Sequence, residues 1–109
     1  MLVLLMIKKF YGGIFIDKDN LSKEGIDYPI KIEYYKIYDN TSFNKKTQYG
    51  VEVVKTEYKK NDIIIENKEI RRITNEEVRI NNILNKLKIN QVTPVVANYI
   101  IEDLIYNNG

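Results

Sequence analysis

At 109 residues the chain suits one domain, spanning residues 1–109, with room for a real hydrophobic core. It has no cysteine and no histidine, which excludes disulfides, thiolate nucleophiles, imidazole bases, Ser–His hydrolases and the usual zinc ligands together. Its 17 basic and 15 acidic side chains leave a net charge of +2, interleaved along the chain and too balanced to argue for DNA or a membrane surface. Ile, Lys, Asn and Tyr dominate, as in an AT-rich coding sequence, so the nine tyrosines are discounted as functional signals.

The opening Met1-Leu-Val-Leu-Leu-Met-Ile7 has no positive residue before its apolar run and no small-residue cleavage site after it. Seven apolar residues are also too few to span a bilayer. A buried strand near Leu2–Lys8, in a cytoplasmic protein, is the reading. Tyr11-Gly12-Gly13 then predicts a tight turn into a second strand, Gly13–Asp17, because paired glycines permit positive φ. Lys18–Asp27 is polar and is read as a connection with a turn at Gly25.

Runs rich in Ile, Val, Tyr and Thr predict further strands at Pro29–Asp39, Tyr49–Tyr58 and Ile63–Ile73. The polar segments Asp39–Lys46 and Lys59–Asp62 join them, so the strands should form an antiparallel meander. The alternation of Ile30, Ile32 and Tyr34 slips at Tyr35 and Ile37, and again at Val53-Val54. Bulges, or partial cover on both faces, would produce such a slip.

The periodicity becomes helical at Thr74-Asn-Glu-Glu77, which has the form of a capping box, with Ile73 and Val78 at the staple positions. A helix should start at Asn75, bury Ile80, Ile83, Leu84 and Leu87, and end near Asn90, with Lys86 and Lys88 favourable to its C-terminal dipole. Thr93-Pro94 repeats a helix start, with Thr as N-cap and Pro at the first helical position. That helix should run to about Tyr106 and bury the Ala97/Ile100/Ile101/Leu104 stripe, leaving Glu102-Asp103 in water. The fold class is therefore α+β: a β-meander of three to five strands, followed by an antiparallel pair of helices packed on the sheet.

The order of "YGVEVVK" (Tyr49–Lys55), "ITNEEVRINNILNKL" (Ile73–Leu87) and "NQVTPVVANYIIEDLI" (Asn90–Ile105) resembles a family of small proteins of unknown function from spore-forming anaerobic Gram-positive bacteria. The resemblance covers Tyr49 to Ile105 and rests on packing and capping motifs, so it implies a shared fold and no particular activity. Members of that family commonly carry a His shortly after the Pro of the last helix. This chain has Val95-Val96-Ala97-Asn98 there, so no role for such a histidine carries over.

Adjacent helical residues point about 100° apart, so Glu102 and Asp103 do not share a proton or a ligand unless another element joins them. A solvated helix face explains them. The pairs Lys8-Lys9, Lys45-Lys46, Lys59-Lys60 and Arg71-Arg72, together with Tyr34, Tyr35, Tyr38, Tyr49 and Tyr58, suggest a sheet that stacks bases and meets phosphates. Glu33, Glu52, Glu57, Glu66 and Glu69 on the same strands oppose it, and lysines at turns and edges also deter strand aggregation. Tyr11-Gly12-Gly13 lacks the context of a phosphate loop.

These residues imply no catalytic, cofactor-binding or metal-binding site, and no enzyme. The expected protein is a small cytoplasmic binding or regulatory molecule that acts by contacting another protein. Its candidate surface includes the five strand tyrosines, a residue type favoured at interfaces, and Glu102-Asp103. The alternative is nucleic-acid binding through the tyrosine- and lysine-bearing sheet. No membrane partner is expected, and a homo-oligomer is left open.

Overall fold

The alternating segments of the first two-thirds pair into one antiparallel sheet. The computed structural model describes residues 6–40 and 46–107. Strands β1 (Met6–Ile16), β2 (Ile30–Asp39), β3 (Gln48–Lys59) and β4 (Asp62–Thr74) lie in the order β1-β2-β3-β4, as expected of a meander. Helices α2 (Glu77–Ile89) and α3 (Pro94–Asn107) follow, and a short α1 (Lys18–Leu21) lies between β1 and β2.

The first strand corrects two expectations: Met6 to Phe10 are exposed and not buried, and the two strands expected there are one. Tyr11-Gly12-Gly13 is not a hairpin turn, because β1 pairs with β2 from Met6 opposite Asp39 to Ile16 opposite Ile30, with one register shift between Phe10 and Gly12. Tyr11 is thus an extra residue in a continuous strand, a β-bulge. Residues 2–5 of the strand expected at Leu2–Lys8 lie outside the described residues, as do residues 41–45 of the Asp39–Lys46 turn. The Lys18–Asp27 connection is also more ordered than its polarity suggested. Asp17 Oδ1 accepts the Asn20 N–H at 3.2 Å to cap α1, and a 3-10 turn at Ser22–Glu24 ends on Gly25 at φ 77°.

Both helices lie over one face of the sheet. The core joins Ile30, Ile32 and Tyr34 of β2 and Val51 and Val53 of β3 to Ile80, Ile83, Leu84 and Leu87 of α2, with Val92, Ala97 and Ile101 completing it. The α2 face predicted from its i, i+3, i+4, i+7 spacing is therefore the buried one. Arg79 Nη2 near the start of α2 donates to the Ile105 carbonyl near the end of α3 at 3.4 Å, which fits an antiparallel pair.

The capping box does not close as expected. Helix α2 begins at Glu77; Thr74 Oγ1 accepts the Glu76 N–H at 3.1 Å, and Val78 is exposed. The Glu77 carboxylate turns to the sheet instead and takes Lys36 Nζ at 3.0 Å, a stronger charged partner than a backbone amide. At the other end Asn90 is the C-cap, and the Gln91 and Val92 amides donate to the Lys88 and Leu87 carbonyls at 3.1 and 3.0 Å. This is a Schellman motif with Gln91 at φ 51°, where glycine is usual. It turns the chain within a few residues, so that α3 starts at Pro94 with Val96 N–H donating to the Thr93 carbonyl at 3.3 Å.

Candidate functional site

Period-2 geometry divides each strand between the helix-covered face and an open one. Between β2 and β3 the register runs without a break from Ile30 opposite Glu57 to Asp39 opposite Gln48. The slip in their alternation therefore comes from apolar residues on both faces, not from a bulge: Ile30, Ile32 and Tyr34 face the helices, while Tyr35, Ile37 and Val54 face away. Bulges occur instead in β1 at Tyr11 and in β4 opposite Gly50.

The bulge at Tyr11 has a direct effect on the open face. It restores the same orientation to Phe10 and Phe15, which five residues of regular strand would point oppositely. Phe10 packs edge-on against Tyr35, with ring centroids 5.6 Å apart, and Phe15 lies 6.4 Å from the Tyr58 ring. Across the sheet, β4 contributes Ile63 and Ile65 to the same face. Phe10, Phe15, Ile63 and Ile65 are 56%, 62%, 58% and 65% exposed, unusual values for four large apolar side chains on one sheet surface.

The charges on this face are paired within the chain. Lys8 Nζ lies 2.6 Å from Glu69 and 3.4 Å from Glu52, and the bond to Glu69 is the main reason its pKa stands above the usual lysine value. Lys31 lies 3.5 Å from Glu33 and sits over the Tyr58 ring at 5.9 Å. Arg71 and Arg72 both reach the fully buried Asp39 carboxylate, at 3.0 and 3.3 Å. Neighbours in a regular strand point to opposite faces. Arg72 turns back because its φ is 55°, inside the bulged segment of β4.

The five tyrosines do not share a surface. Tyr34 is fully buried and donates its hydroxyl to the Val92 carbonyl at 2.8 Å, and burial pushes its pKa up to about 12. It holds the α2–α3 turn to the sheet and takes no part in any exposed surface. Tyr38 and Tyr49 lie on the helix side, edge to face at 5.5 Å, with the Tyr38 hydroxyl 3.4 Å from Glu77. Only Tyr35 and Tyr58 belong to the open face. Glu102 and Asp103 are exposed on α3, away from those tyrosines.

Lys36, beneath α2, bonds Glu77 and also Asn81 Oδ1 at 2.7 Å. Burial opposes its charge, but the bonds to Glu77 and Tyr38 outweigh that and raise its pKa. The same bond from Lys36 lowers the pKa of Glu77. This cluster ties helix to sheet. A surface hollow of about 680 Å³ lies at the β3–β4 end of the sheet between Tyr28, Tyr58 and Lys59. Among the described residues no group of three or more acidic side chains gathers in metal-binding proximity, and no helix is long and apolar enough to cross a membrane.

Sequence reasoning missed Phe10, Phe15, Ile63 and Ile65. The available signals were the uninterrupted Ile63-Ile64-Ile65, which makes both faces of β4 apolar, and two phenylalanines flanking a segment taken for a turn. Fold and surface together define a two-layer α+β protein, with helices on one side of a four-stranded meander and, among the described residues, no helix or strand on the other. The chain belongs to the DUF6514 family, a family of unknown function, whose family model matches residues 14–107. That match extends N-terminal to Tyr49 and takes in only the last three residues of β1, Ile14 to Ile16. No curated protein and no solved structure matches the chain.

Proposed function

We propose that this is a small, non-catalytic binding or regulatory protein of the cytoplasm, which acts by contacting another polypeptide chain through the open face of its sheet. One observation supports this above the others: Phe10, Phe15, Ile63 and Ile65 are exposed together on a face whose cations already hold carboxylates. Covering such a face removes apolar area from water, at about 25 cal/mol per Å², without stranding an unpaired charge. We further propose, from the resemblance of the Tyr49–Ile105 motifs, an origin among spore-forming anaerobic Gram-positive bacteria.

Nucleic-acid binding through the same face has the aromatic rings in its favour and the charges against it. Phosphate contacts need cations free to replace counterions, and Lys8, Lys31, Arg71 and Arg72 are each within 4 Å of a carboxylate. The deciding experiment is affinity capture from the native host with the tagged protein and its Phe15→Asp variant. Specific partners, or the untagged chain itself, should be retained by the parent and lost by the variant. Equal recovery on both, or retention of single-stranded DNA or RNA that falls steeply with salt, would overturn the proposal.

A further inference from the structure

We infer that the open face is covered by the same face of a second copy of this chain, in a two-fold dimer whose axis runs along the strands. The inference rests on the reading of that face as a protein-contact surface and names its occupant.

Three features argue for a copy over an unlike partner. The first is charge: Lys8, Lys31, Arg71 and Arg72 meet Glu33, Glu52, Glu69 and Asp39 within one chain. A face with equal numbers of both signs, paired in place, has no net field to select an oppositely charged partner.

The second is the arrangement of the apolar groups. Phe15 stands opposite Lys31, Lys31 opposite Thr56, and Thr56 opposite Ile65, so these residues make one row across all four strands. A two-fold axis along the strands lays this row on its own reverse. Phe15 at the β1 edge of each copy then covers Ile65 at the β4 edge of the other, with Lys31 over Thr56 between them. That is the self-complementarity an isologous interface requires.

The third is size. The molecule measures 51 × 34 × 18 Å, and 18 Å accommodates one sheet and one helix layer, about 10 Å apart, with no third layer among the described residues. Four strands of 10 to 13 residues present a face of about 20 by 36 Å, roughly 700 Å². A stable interface takes about 800 Å² from each partner. Two such sheets would pack about 10 Å apart with their strands within about 30° of parallel.

The absence of cysteine permits a direct test with Phe15→Cys and Ile65→Cys proteins. Like positions of the two copies lie at least three strand spacings apart, about 14 Å, whereas Phe15 faces Ile65 across a gap of about 10 Å. A bismaleimide whose span matches that gap should join a mixture of the two single variants into a species of twice the chain mass, and neither variant alone should be joined. Light scattering should give a doubled mass for the parent and a single-chain mass for Phe15→Asp, with circular dichroism confirming that the variant folds. A parent that stays single-chain at every concentration, a dimer that survives Phe15→Asp, or single variants that cross-link as readily as the mixture would overturn the inference. A single-chain parent whose capture of cellular proteins still depends on Phe15 would remove the copy and leave the contact surface standing. If neither mass nor capture responds to Phe15→Asp, both fall.

Discussion

Tyr34 and Tyr35 are neighbours with opposite fates, and the hydroxyl of Tyr34 shows how much depends on the side a residue faces. Its bond to the Val92 carbonyl satisfies an acceptor at the one buried residue of the turn between α2 and α3. Tyr34→Phe keeps the ring and strands that carbonyl, and should cost about 1–2 kcal/mol in chemical denaturation. Burial raises the Tyr34 pKa to about 12 from an ordinary value of about 10. A group whose folded-state pKa is raised stabilises the fold fully below its unfolded pKa, and that contribution is lost as pH rises through the folded value. Stability should therefore fall between about pH 10 and 12, and the decline should be shallower in Tyr34→Phe. Gln91, at φ 51°, is the converse case of a side chain where none is preferred. Gln91→Gly should raise stability by about 1 kcal/mol, measured by urea unfolding.

At the scale of elements, the two bulges do different work. In β1 the extra Tyr11 turns Phe15 to the side of Phe10. In β4 the extra residues bring Arg71 and Arg72 onto Asp39, and they press the chain against Gly50. A Cβ at Gly50 would run into the Ile70 carbonyl oxygen and the Arg71 Cα, both main-chain atoms that cannot rotate aside. Gly50→Ala should therefore cost about 1–3 kcal/mol, and looser pairing of β3 with β4 should show as faster amide exchange near Val51 and Ile70. Helix α3 is held mainly by its apolar side. Ile101 is buried against the sheet, and Ile101→Ala should cost about 2–5 kcal/mol; a loss below 1 kcal/mol in denaturation would mean that α3 is not part of the core.

For the molecule as a whole, the helices use one face of the sheet and leave Phe10, Phe15, Ile63 and Ile65 exposed on the other. The exposed residues are not needed for the core, so Phe15→Asp should leave the melting temperature within a few degrees of the parent, a surface substitution changing stability by about 0.5 kcal/mol or less. The same change should abolish association. Paired charges also predict that single-stranded DNA gives no salt-sensitive anisotropy signal with the parent.

The meander and the helix pair were legible in the sequence because they are written in short-range periodicity. The spacing of Ile80, Ile83, Leu84 and Leu87 names the buried side of α2 without knowledge of what it packs on. Asn90 and Pro94 mark the turn by their own backbone preferences. Tyr11-Gly12-Gly13 was not legible in this way, since two glycines permit a turn and a bulge alike. The choice lies in the pairing of β1 with β2 on both sides of the bulge, a set of contacts between residues distant in the chain. The division of the tyrosines was hidden for a related reason. Alternation tells that Tyr34 and Tyr35 face opposite ways, but β2 has apolar groups on both sides. Only the docking of α2 and α3 selects the side of Tyr34 for the core and leaves Phe10, Phe15, Ile63 and Ile65 at the surface.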